Sequence, residues 1–222
     1  MSIAIETLFL FAVMWCLFWA LVAARSRAFL LVLVILGTIQ WALSSKGFYV
    51  NETSFPPPQM LLFAPVVIAL LAMVITKTGR NWLANLDPVA LMMIHVARIP
   101  VELTLHEGYL AGLVPQGMTY SGFNFDILSG ISAAFMVAWM LSKRPPSRNW
   151  MVGWNVAGMV LLFVVVTTAV LSLPSSIQRI NFDHPNVLVT TTPYILLPAL
   201  IVPLVLWAHV ASLVRLLGKH QR

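Results

Sequence analysis

Five side chains able to carry charge, a proton or a ligand stand in one stretch of the chain: His95, Arg98, Glu102, His106 and Tyr109. Their offsets from His95 are 3, 7, 11 and 14 residues, which at about 100° per residue form one narrow stripe on an α-helix. Glu107 points elsewhere on that helix. The stretch is otherwise apolar, and charged groups are costly in an apolar medium, so they face a protein interior and either pair or serve a site. Arg98 and Glu102, spaced i and i+4, are expected to pair, which offsets much of the cost of burying either. Pro100 between them removes a backbone donor and predicts a kink. One reading is a structural ion pair holding a kinked helix, with the histidines merely hydrogen-bonded. The other is the lining of a cavity that binds a polar ligand, passes protons or holds a metal. Five such groups stacked together favour the second.

The segment that follows, 115–126, is rich in glycine and hydrogen-bonding groups and is expected to pack back over the mouth of this cavity. Asn124 adds an amide, and Asp126 serves either as an N-cap or first-turn acid or as a member of the site. Gln40, Asn155 and His209 are supporting candidates from other apolar runs, each alone more often an interhelical hydrogen bond than a catalyst. Glu102, His106 and Asp126 are the candidate metal ligands, with Glu6 or a loop residue as substitutes, since a catalytic metal takes about three protein ligands. His95 and His209 at matching depth would suit a b-type haem. No cofactor follows from these residues alone.

The elements that must position these groups are apolar runs. Of 222 residues 60% are hydrophobic and 9% charged, and the mean hydropathy is +0.90, far from the roughly 25% charge of an ordinary soluble domain. An all-α, polytopic membrane bundle of about seven transmembrane helices is expected, with spans at 3–24, 28–45, 59–76, 88–113, 126–142, 150–172 and 193–217. They form a single domain over 1–222, with no room for a soluble one. The first run carries Glu6, lacks a basic flank and exceeds a leader's usual apolar length, so it reads as a span. Pro193, Pro198 and Pro203 predict an irregular last span, kinked or hinged. Cys16 is the only cysteine, which excludes an internal disulfide.

A net charge of +6 does not argue for nucleic acid, because the basic residues punctuate the apolar runs instead of clustering on one face. Alternating the loops between two sides collects ten of them, Arg25, Arg27, Lys77, Arg80, Lys143, Arg144, Arg148, Arg215, Lys219 and Arg222, on one side. Only Lys46 and Arg179 fall on the other, with Arg98 inside a span. The rich side is cytoplasmic, so the N-terminus is outside and the C-terminus inside. Trp82 and Trp150 beside the basic loops fit an aromatic belt. Asn51-Glu52-Thr53 matches a glycosylation tripeptide, which is common by chance and carries no weight.

The stretches Arg98-Ile-Pro-Val-Glu-Leu103, Met118-Thr-Tyr-Ser-Gly122 and Asn124-Phe-Asp-Ile-Leu128 resemble the central segment of an uncharacterised family of bacterial multi-pass membrane proteins. The resemblance covers about a seventh of the chain and implies a shared fold and a bacterial inner-membrane location, but no reaction. A microbial rhodopsin matches poorly, because none of Lys46, Lys77, Lys143 and Lys219 lies within a span. The expected function is therefore an outward-opening polar cavity on the fourth span that binds or conveys a small polar or anionic molecule, as transporter, carrier or sensor. In that reading Arg98 is the fixed positive charge and His106 the pH-coupled group. The alternatives are an intramembrane metal-dependent hydrolase, or a structural subunit of a membrane complex or homo-oligomer.

Overall fold

A computed structural model describes residues 1–50 and 54–218. The tripeptide at 51–53, Lys219 and Arg222 lie outside the described residues. Among the described residues the chain is helical, without strands. The helices are α1 (Ile3–Ala24), α2 (Arg27–Ser45), α3 (Met60–Ile75), α4 (Lys77–Ala84), α5 (Pro88–Ile94), α6 (Arg98–Leu110), α7 (Asp126–Met140), α8 (Arg148–Leu171) and α9 (Val202–Leu217). Helix starts follow capping chemistry: Ser2, Ser26, Thr76, Asp87 and Ser147 each accept a backbone N–H of the turn they open.

Five helical stretches are long and apolar enough to cross a membrane: Ile3–Ala24, Arg27–Ser45, Pro88–Leu110, Arg148–Leu171 and Leu197–Leu217. A sixth arises if α3 and α4, bent by 93° at Thr76, count as one broken span. The stretch at 77–87, expected as a loop, contains α4, because the Thr76 cap starts a new helix while Arg80 Nη1 donates to the carbonyls of Val74 and Ile75 at 3.0 and 2.8 Å across the bend. Trp82 there packs on Phe29 and Trp207.

Two stretches form the centre. Pro88–Leu110 and Leu197–Leu217 are 61% and 67% buried, against 17% for Arg27–Ser45 and Arg148–Leu171. Outward faces carry large apolar side chains such as Leu31, Ile68, Phe135 and Phe163, a surface that fits a membrane protein and not one bathed in water. In the last helical stretch Pro198 and Pro203 lack the amides that would close α-turns, and the chain forms a wide π turn at Leu197–Ile201 instead.

Loops meet at two ends. At one, Arg25 pairs with Asp87 at 3.6 Å, Arg215 Nη1 donates to the Leu86 carbonyl at 3.0 Å, and Arg148 Nε donates to that of Leu216 at 2.6 Å. At the other, Ser44 Oγ donates to the Thr190 carbonyl at 2.7 Å, and the amides of Val187 and Leu188 donate to that of Leu113 at 3.1 Å.

Candidate functional site

The path from α5 to α6 runs through a tightened 3₁₀ turn at His95–Ala97. Pro100 explains it, since the amide it lacks would have closed onto Val96 inside that turn. Arg98, Glu102 and His95 are all buried, at 2%, 1% and 0% exposure.

The expected Arg98–Glu102 pair does not form. Arg98 Nη1 stands 2.9 Å from Asp126 Oδ1, a close ion pair without the alignment of a straight hydrogen bond. The spacing on α6 places both side chains on a common face, but it says nothing of what the neighbouring helix offers. Asp126 is the first residue of α7, so its carboxylate also lies in the favourable field of that helix's N-terminus. Gly130 permits the approach: a Cβ there would sit 2.9 to 3.2 Å from Ile99 and from Arg98 Cβ.

Glu102 instead takes a hydrogen bond on Oε1 from Asn124 Nδ2 at 2.5 Å. Asn124 is held by its own bonds, Nδ2 to the Met118 carbonyl at 2.9 Å and Oδ1 from the Asp126 amide at 3.0 Å. One step further, Tyr120 stacks on His106 at 4.4 Å, and Ser121 Oγ lies 3.2 Å from His106 Nδ1. The segment 120–126 therefore descends along α6, meeting His106, Glu102 and Arg98 in turn, deeper than the lid expected there. The span expected at 126–142 holds a 15-residue helix, and irregular chain precedes it beside the upper half of α6.

On the far side of Arg98, Nη2 lies 3.1 Å from His209 Nε2, and both terminal nitrogens reach toward the Gly158 carbonyl at 3.5 and 3.4 Å. His209 Nδ1 is 3.0 Å from Asn155 Oδ1, and Asn155 Nδ2 donates to the Met151 carbonyl at 2.9 Å. That last bond fixes the amide's orientation, so Asn155 accepts from Nδ1–H and His209 Nε2 accepts from the guanidinium. His209 is thus a neutral imidazole in one tautomer. Gly158 was not singled out by sequence reasoning, yet a Cβ there would meet the His209 ring at 2.6 Å.

The remaining candidates divide plainly. Asn155 and His209 join the Arg98 cluster. Gln40 does not: its Oε1 takes the Tyr49 hydroxyl bond, where burial pushes that phenol's pKa up and keeps it a donor. His106 and Tyr109 lie in the half-exposed part of α6. His95 packs its ring 4.1 Å from that of His209, which leaves no slot for a porphyrin between them, and neither of its nitrogens has a partner. Among the described residues no three His, Cys, Asp or Glu side chains gather as metal ligands do, so Glu102, His106 and Asp126 do not form the expected ligand set.

Arg98, Glu102 and Asp126 border a cavity of about 60 Å³ whose other walls are apolar, including Val101, Leu105, Met118 and Val189. Behind this apolar lining Glu102 Oε2 and Arg98 Nε are buried without a hydrogen-bond partner, and Asp126 Oδ1 has its ion-pair contact with Arg98 alone. The arrangement sets carboxyl groups able to take a proton or a polar group just behind the wall of a dry pocket.

A family model described as a domain of unknown function (DUF8737) matches residues 55–217, and the chain belongs to that family. No curated protein and no solved structure matches the chain.

Proposed function

We propose that this chain crosses the cytoplasmic membrane of a bacterium seven times, with its N-terminus outside, and works as a carrier or sensor that binds a small polar molecule beside Glu102. Basic side chains Arg25, Arg148 and Arg215 gathered at one end support the orientation. The crossing at α7 is half helix and half irregular chain. Irregular backbone at membrane depth is tolerated where it is buried in protein or lines a cavity, and the N-termini of such broken helices recur at the binding sites of transporters.

The observation that carries the reading is Glu102 Oε2, buried and without a partner on a residue that borders a cavity. A buried polar atom left unmet costs about 1–3 kcal/mol, more for a charged group, and such a site persists where something else meets it. Charge selects what that is. Two carboxyl groups face one guanidinium, so the cluster balances only by taking one proton or one cation more. The terminal nitrogens of Arg98 are already engaged by Asp126, His209 and the Gly158 carbonyl, which leaves an anionic ligand Nε alone against two carboxyl groups. The ligand class is a hydrogen-bond donor, best a small cation.

Thermal unfolding of purified wild type and Glu102→Gln with ethylammonium, chloride, acetate and phosphate tests this. Ethylammonium is expected to raise the wild-type midpoint and not the variant's, and the anions to do nothing specific. Stabilisation by the anions alone would reverse the assignment.

A further inference from the structure

A second space lies beside the charged cavity. Helix α3 packs on α9 and on the π turn before it but has little contact with α8, and between α3 and α8 runs an apolar crevice of about 520 Å³. That volume falls within the range of small-molecule sites. Its lips include Val67, Ile68 and Phe163, exposed by 45%, 66% and 72%, so it opens on the apolar exterior of the bundle. Its inner walls, Phe63, Leu162, Val166, Val170, Leu173 and Val202, are also walls of the charged cavity. The two spaces lie side by side across this one apolar wall, and a shift of these side chains would join them into a passage from the lip to Glu102.

Such a passage admits a molecule with two unlike parts. The inner cavity, about 60 Å³, has room for a few water molecules or a head the size of an ammonium group, not for a phosphodiester head. Two carboxyl groups stand there against one guanidinium whose terminal nitrogens are already engaged, an excess that a cationic donor complements and a carboxylate or phosphate does not. The crevice offers apolar wall at the depth of lipid tails, where a free polar solute would gain nothing.

We propose that the ligand is a single-chain amphiphile bearing a primary amine, which enters sideways between α3 and α8, sets its ammonium head against Glu102 and leaves its tail in the crevice. This rests on the reading of Glu102 as the ligand-binding group and adds the route and the tail.

The test uses the full chain in lipid nanodiscs and follows the unfolding midpoint with octylamine, octanoate, octane and ethylamine as probes. Octylamine is expected to raise the midpoint at concentrations where ethylamine, octanoate and octane do not. In Val67→Trp, which fills the crevice at its lip and does not border the charged cavity, octylamine is expected to lose its advantage while ethylamine retains its effect, the latter showing that the variant is folded. Glu102→Gln is expected to respond to neither amine. If ethylamine stabilises the wild type and octylamine does no better, the lateral amphiphile is overturned and the Glu102 site stands. Equal effects of octane or octanoate overturn recognition of the head. If neither amine shifts the wild type, the Glu102 site itself falls and this inference with it.

Discussion

The two sides of the Arg98 guanidinium are built to different standards. Toward His209 the hydrogen bonds close in series: Nη2 to His209, His209 to Asn155, Asn155 to the Met151 carbonyl, with the Gly158 carbonyl beneath. Toward Glu102 the series stops at one oxygen, Oε2, without a partner, on a residue that borders a cavity. A buried network that is satisfied rigidifies, whereas one that is unmet costs stability. The His209 side therefore holds Arg98 in place, and the Glu102 side is where a ligand or proton would act. His95 marks the limit of this contrast, being buried against His209 with both ring nitrogens unpartnered and hence contributing packing alone.

The largest expected effect lies at the junction of the two sides. Asp126→Leu removes the carboxylate in contact with the buried guanidinium and leaves only the more distant Glu102 to balance it, a loss of up to about 3–5 kcal/mol for breaking a buried pair. Arg98→Met is expected to cost less through this pair, because the stranded Asp126 can take a proton and an arginine cannot. The double variant should be more stable than Asp126→Leu. Thermal unfolding of the three in one detergent measures the coupling, and additive losses would show that the 2.9 Å contact carries no energy.

Next come two changes on the satisfied side. Gly158→Ala drives a methyl group into the His209 ring, which must move and loosen its hold on Arg98; overpacking of this kind costs about 1–3 kcal/mol. Asn155→Leu strands the His209 Nδ1–H in a buried place, at about 1–3 kcal/mol. Both should lower the unfolding midpoint while leaving ethylammonium binding at Glu102 in place. A variant of this pair that folds normally but loses binding would erase the distinction between the two sides.

The sequence disclosed the parts more readily than their partners. Apolar runs bounded by serine, threonine and aspartate caps locate the long helices, because hydropathy and capping are local properties. The stripe on α6 shows which residues face inward for the same reason. What lay out of reach was the neighbour: Asp126 meets Arg98 only because the segment 120–126 descends along α6, a path set by tertiary contacts such as Tyr120 on His106 and Asn124 on Glu102. Gln40, a polar group in another apolar run, turned to Tyr49, since a place along the chain does not fix the direction a helix face takes. Helix α4 was hidden in a polar, basic stretch whose helicity depends on a threonine cap and on one arginine bridging the bend.

The smallest effect on stability is expected where the effect on binding is largest. Glu102→Gln keeps the length of the side chain and an oxygen to accept from Asn124, so the contact seen at 2.5 Å survives as a neutral hydrogen bond. It removes one of the two carboxyl groups and with it the extra proton or cation the cluster needs. The Arg98–Asp126 pair is then balanced alone, and stability should change by no more than about 1 kcal/mol, within the range of a single neutral hydrogen bond. Binding of a cationic donor should nevertheless disappear, because a carboxamide offers it no counter-charge. Unfolding midpoints and ethylammonium titrations on the same preparations give both numbers. A loss of several kcal/mol in Glu102→Gln would place Glu102 with the structural half of the network, and the contrast drawn at Arg98 would no longer separate scaffold from site.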